Sequence, residues 1–262
     1  MTSRRVFALC CAAMGVLLAT AANADAAPAT ETPAAAAAAG PAAAAEAAPI
    51  SGMKSLGHDR YQIGTILVEK NLRRLTVAGR VLQLGVPLEY LVVSPHGLKG
   101  YESLLEIGAS GSEFNLACIL LGLDASRSTP PGMQYSREPI AGQPVAFRIY
   151  WQDGAKRHEV GVLAALYADA TQIPNVEDTW IYTGSAINDY TKHYASDETG
   201  VLVGFVRDAS AVVSHRTGLG IGNYGSVSGN KSLLPPVGGP VTLVMQVLPD
   251  APLAPSKVAA KK

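Results

Sequence analysis

The sequence predicts an α+β fold, mainly antiparallel β with one buried central helix, as a single domain or two tightly packed β-rich subdomains. Three observations predict it. Short runs rich in Val, Ile, Leu and Tyr recur between turn signals, and one segment is apolar nearly all round at helical length. Once the low-complexity ends are set aside, about 200 residues remain, which suits one domain or a close pair.

The elements follow in order. Residues 63–68 and 75–81 read as strands flanking a polar turn at Lys70-Asn71, and Arg73 and Arg74 join Lys70 there in the one basic cluster. Residues 88–93 and 101–107 flank Pro95-His96-Gly97, which reads as a second hairpin loop. The helix comes next. Ser112 can cap it, Glu113 lies in its first turn, residues 114–121 fill it and Gly122 stops it. With no polar stripe, it should lie buried against a sheet. Residues 145–151 and 157–162 flank Asp153-Gly154, the strongest hairpin signal, because glycine tolerates the positive φ such turns need. A weaker helix reads over 162–167, and strands over 179–182, 201–206 and 241–247 complete the set.

Both ends read differently from this core. Residues 1–26 carry Arg4 and Arg5, an uncharged apolar run over 6–22, and a small-x-small cleavage site at Ala24-Asp25-Ala26. That is the pattern of a secretory signal, too short for a membrane span, and it places the mature chain in the periplasm or outside the cell. Ser3-Arg4-Arg5-Val6-Phe7 fits both a twin-arginine signal and an ordinary basic start. Residues 27–56 are Ala/Pro-rich and read as a disordered spacer, residues 57–250 as the globular domain, and residues 251–262 as a disordered basic tail. The mature chain has no integral membrane segment by this reading. Lys and Arg total 21 and Asp and Glu total 21, so no net field draws nucleic acid. Cys10 and Cys11 leave with the signal. Cys118 alone, set among Leu116, Ala117, Ile119 and Leu120, cannot supply a cluster or structural zinc, so no cofactor is expected.

Several segments together resemble a known family. Pro87-Leu88-Glu89-Tyr90-Leu91-Val92-Val93-Ser94-Pro95, Tyr101-Glu102-Ser103-Leu104-Leu105 and Leu120-Leu121-Gly122-Leu123 begin the match. Trp180-Ile181-Tyr182-Thr183-Gly184-Ser185 and Leu234-Pro235-Pro236-Val237-Gly238, before Val241-Thr242-Leu243, continue it in order. The chain thus resembles the YdjY-domain family of exported bacterial proteins, which is functionally uncharacterised. A ferredoxin-like, iron–sulfur description attached to that name implies a cluster, which the single remaining cysteine does not fit. The resemblance also implies an acidic, Pro-containing stretch where this chain reads Arg207-Asp208-Ala209-Ser210.

No motif in the chain supplies a complete catalytic set. Gly220-Ile221-Gly222-Asn223-Tyr224-Gly225 matches the dinucleotide pattern formally, but no helix can follow it and no carboxylate stands about 20 residues on. A flexible glycine loop accounts for it better. Ser51 with Lys54, and Ser228 with Lys231, match the serine–lysine hydrolase spacing without its partner motifs. Asp189, His193 and Asp197 would share one face if their stretch were helical, and could then hold a divalent cation; a solvated face is the simpler account. Glu102 and Glu106 fall on one face of a strand with Leu104, near Glu89, and paired carboxylates can divide acid and base roles. Trp180, Tyr182 and Ser185 can edge a ligand groove, although Trp180 and Tyr182 equally suit aromatic core packing.

The resulting expectation is a non-enzymatic module that binds an envelope ligand or protein, with Glu102, Trp180 and Ser185 as the ligand residues. No catalytic or metal-ligating residue is assigned. A hydrolase or metal-dependent enzyme drawing on Glu102, Ser185 or the Asp189-His193-Asp197 set is the alternative.

Overall fold

Alternation decides the architecture. Along the last strand, Val241, Leu243, Met245 and Val247 are buried while the residues between them stay wetter. Leu75 and Val77, and Val145, Phe147 and Ile149, repeat the pattern on the two strands beside it. A strand with one buried face must lay that face against others, and here the faces close into a ring. The structure is a computed structural model that describes residues 52–134, 136–167, 175 and 177–250. The expected signal, residues 27–51 of the expected spacer, and the expected tail lie outside the described residues.

Twelve strands lie among the described residues: β1 (Lys54–Gly57), β2 (Arg60–Ile63), β3 (Ile66–Glu69), β4 (Arg74–Val81), β5 (Tyr90–Val93), β6 (Ser103–Ile107), β7 (Pro144–Asp153), β8 (Lys156–Gly161), β9 (Trp180–Tyr182), β10 (Val201–Gly204), β11 (Val213–His215) and β12 (Pro240–Val247). Eight form a closed barrel in the order β4-β12-β7-β9-β11-β10-β5-β6, and β6 returns to β4 through Gly79–Val81 opposite Leu105–Ile107. The other four, β1 to β3 and β8, extend from it. The fold is therefore mainly β. The expected α+β arrangement around a central helix is overturned.

Three helices are described, all short: α1 (Gly111–Leu120), α2 (Val162–Leu166) and α3 (Ala195–Thr199). α1 does not occupy the centre. It buries Phe114, Ala117 and Cys118 against the strands, contacting β3, β10 and α3, while Ile119 is exposed. An apolar ten-residue helix gave no stripe from which to tell a covering role from a central one. Its cap is Ser110 rather than the expected Ser112. Ser110 Oγ accepts from Glu113 N at 3.1 Å and Ser110 N donates to Glu113 Oε2 at 2.9 Å, a reciprocal capping box. Ser112 instead bonds the Asp197 carboxylate on α3 through both N and Oγ.

The Asp153-Gly154 hairpin forms as expected, joining β7 to β8 with Gly154 at φ 58°. The second expected hairpin does not. β5 and β6 pair in parallel, Tyr90 opposite Ser103 and Val92 opposite Leu105. The chain crosses between them through Pro95-His96-Gly97 and a 3-10 turn at Gly100–Glu102. β10 joins β11 in parallel as well. The first expected strand, 63–68, is also split, because Gly64-Thr65 turns β2 back onto β3.

Candidate functional site

After β11 the chain runs through Thr217-Gly218-Leu219-Gly220-Ile221-Gly222-Asn223-Tyr224-Gly225 before reaching β12. Gly218, Gly220, Gly222 and Gly225 all have positive φ, between 63° and 87°. Side chains other than glycine rarely adopt that conformation, so the glycines are there for the path of the backbone. The loop walls a cavity of about 770 Å³, with Arg137, Tyr167, Thr217 and Ser228 among its lining residues. A smaller cavity of about 250 Å³ shares Leu219, Gly220, Ile221, Asn223 and Gly225 with it and adds Glu89, Gln134 and Tyr224.

Both ends of the loop are pinned. At the first, the Arg207 side chain is buried and its guanidinium donates to four carbonyls: His215 at 2.7 Å, Arg216 at 2.9 Å, Glu138 at 2.7 Å and Ser136 at 3.2 Å. Burial holds its pKa below the usual guanidinium value. Those bonds fasten residues 136–138 to the end of β11, and so set Arg137 over the loop. At the far end, buried Asn230 donates to the carbonyls of Tyr167 at 2.8 Å and Ala164 at 3.1 Å. Ser228 N donates to Leu166 O at 3.1 Å. The wall carrying Tyr167 is thereby fixed.

Within this frame Arg137 Nη2 donates to Ile221 O at 2.5 Å. Its guanidinium also lies close to the open face of Gly222, where an added Cβ would stand 3.2 Å from Nη2. Thr217 Oγ1 is buried without a hydrogen-bond partner among the described residues, although the residue lines the cavity. The amides of Gly220, Ile221 and Gly225 make no backbone hydrogen bond among the described residues. A buried hydroxyl without a partner is unusual, since buried polar groups are nearly always paired, and it stands in the same wall as the half-buried amides of Gly220 and Ile221.

A cluster of charges lies beside the smaller cavity. Lys99 Nζ bonds Glu102 Oε1 at 2.8 Å, and Tyr90 Oη bonds Asp208 Oδ2 at 2.9 Å. Burial, with the charges of Glu102 and Asp208 nearby, raises the pKa of Glu89, and Lys99 opposes the rise. Among the described residues, no group of three or more His, Cys, Asp or Glu side chains could hold a metal ion.

The sequence-expected residues are dispersed. Glu102 lies in the 3-10 turn before β6 rather than on the strand with Leu104 and Glu106, and it is buried against Lys99. Glu106 pairs instead with Arg80 at 2.9 Å. Ser185 sits in a loop at φ 61° and donates to Ser210 O at 2.8 Å, on the turn that Asp208 Oδ1 caps through Ser210 N. Ser185 is thus tied to the backbone of the Asp208 turn, and Glu102 to Lys99. Trp180 does not join them. It is fully buried, with Nε1 on Asp178 Oδ1 at 2.8 Å and its ring edge-on to Phe147 and His215. Asp189 and His193 lie in the loop before α3 and Asp197 within it, so the three do not share a helical face. His193 pairs with Glu198 at 3.4 Å. Ser228 is on the cavity wall, whereas Ser51 lies outside the described residues.

Arg137, Thr217 and Arg207 were missed by sequence reasoning. The glycine spacing at 220–225 marked the loop, but only long-range contacts reveal what stands over it.

A family model described as the YdjY domain matches residues 66–246. No curated protein and no solved structure matches the chain significantly.

Proposed function

This chain belongs to the YdjY-domain family, and from that premise we propose that it is an exported, non-enzymatic binding module whose ligand occupies the cavity beneath the 217–225 loop. One observation carries the reading: the loop is pinned at both ends while Arg137 and the unbonded amides of Gly220 and Ile221 stand around a hollow of about 770 Å³, with the unpartnered Thr217 hydroxyl buried in its wall. That size suits a small molecule, and a few fixed polar groups in a mostly preformed hollow are what orient one. Export rests on the Arg4-Arg5 start, the apolar run and the Ala24-Asp25-Ala26 site.

Native mass spectrometry of the protein purified from its exporting cell should show one bound small molecule, lost in Thr217→Val combined with Tyr167→Phe. A wild-type protein that carries nothing, and that melts at the same temperature in cell extract as in buffer, would reject the proposal.

The Glu89, Lys99, Glu102 and Asp208 cluster favours a second reading, hydrolysis with Glu89 as proton carrier, because a carboxyl with a raised pKa beside a cavity can serve as an acid. Substrate turnover by the wild type that is abolished in Glu89→Gln would put this reading first.

A further inference from the structure

We infer that the 217–225 cleft is an oxyanion site: it takes the phosphate or carboxylate headgroup of a small organic anion, with Arg137 as the charged contact and loop amides and the Thr217 hydroxyl completing the cradle. The inference deepens the binding reading and rests on it. Among the described residues lining the larger cavity, Arg137 is the one charged side chain. It has no acidic partner among the described residues, and its only hydrogen bond there is to the Ile221 carbonyl. A guanidinium carries five donors in a planar fork, so most of that capacity is free for a bidentate acceptor.

The backbone supplies the rest. Gly218, Gly220 and Gly222 have positive φ, the backbone conformation from which amide nests for anions are built, and while the amides of Gly218 and Leu219 bond the carbonyls of His215 and Phe205, those that follow are left for a ligand. Gly220 and Ile221 line the cavity and their amides have no carbonyl partner among the described residues. Thr217 Oγ1, buried and unpartnered at the same wall, is a further donor. A neutral ligand would leave the guanidinium without a counter-charge, and a bare ion would leave most of the hollow empty. An organic anion satisfies both conditions.

Arg207 acts here as a positioning residue, because its four carbonyl bonds fasten the segment that carries Arg137.

The test is titration calorimetry of the purified full chain with pyrophosphate, citrate and, as a neutral comparison, sucrose. Pyrophosphate or citrate should bind, and which of them binds tells phosphate from carboxylate. Arg137→Gln should weaken the anion at least tenfold and Thr217→Val severalfold, with Arg137→Lys retaining part of the affinity. Arg137 is exposed, so melting temperatures should stay within about 2 °C, the range expected of a surface change. Equal anion binding by Arg137→Gln and wild type would overturn the site. Failure of both anions, with a neutral molecule still retained by the native protein, would overturn the oxyanion inference and leave the binding reading standing. If nothing is retained or bound, both fall.

Discussion

His215 shows what a single buried group can do to stability. It closes β11, is fully buried, and neither ring nitrogen has a hydrogen-bond partner among the described residues; the nearby backbone of Glu177 and Gly218 lies outside bonding geometry. Burial therefore pushes its pKa down to about 4, and the Arg207 charge pushes the same way. Between the unfolded value near 6.5 and that folded value, the unfolded chain binds the extra proton. The contribution of His215 is present above pH 6.5 and is lost as pH falls towards 4, roughly 3 kcal/mol at about 1.4 kcal/mol per pKa unit. His215→Leu should flatten that acid limb, measured as urea midpoints from pH 7 to pH 4. An unchanged difference between wild type and variant across that range would contradict the buried neutral imidazole. Trp180, edge-on to this ring, shows why it was ambiguous in sequence, since an aromatic beside Tyr182 and Ser185 looks the same whether it edges a groove or fills a core.

At the level of elements, the clearest test is the α1 cap. Ser110→Ala removes the acceptor for Glu113 N and should cost about 1 kcal/mol, read as a lower denaturation midpoint, while Ser112→Ala should act through Asp197 and α3 instead. The elements that were legible are those whose signal is local. Asp153-Gly154 specified its hairpin because a two-residue turn needs only its own backbone freedom. The β5–β6 pairing was not legible, because strand periodicity is the same in parallel and antiparallel pairs. What decides it is β10, which takes the other side of β5 with Val201 opposite Val93. β11 was missed because three residues show too little alternation to count. The glycine loop was read correctly as a loop, yet its role waited on Arg137 and Arg207, which come from two different segments.

At the scale of the whole molecule, the barrel depends on one crowded seam. Gly79 on β4 faces Val241 on one side and Ile107 on the other, and an added Cβ would meet Glu106 O at 2.5 Å and Ile107 Cγ2 at 2.9 Å. Gly79→Val should therefore destabilise the domain by about 2–3 kcal/mol through overpacking against backbone that cannot yield. A variant that melts with the wild type would argue that β4 and β6 do not meet. The placement of β12 has a consequence for synthesis. This last stave inserts between β4 and β7, so neither neighbour has its full hydrogen-bonding partner until residue 247 has left the ribosome. A nascent chain shortened by even that one strand keeps two sticky flanks side by side, and must rely on a chaperone or on speed to avoid pairing with its neighbours.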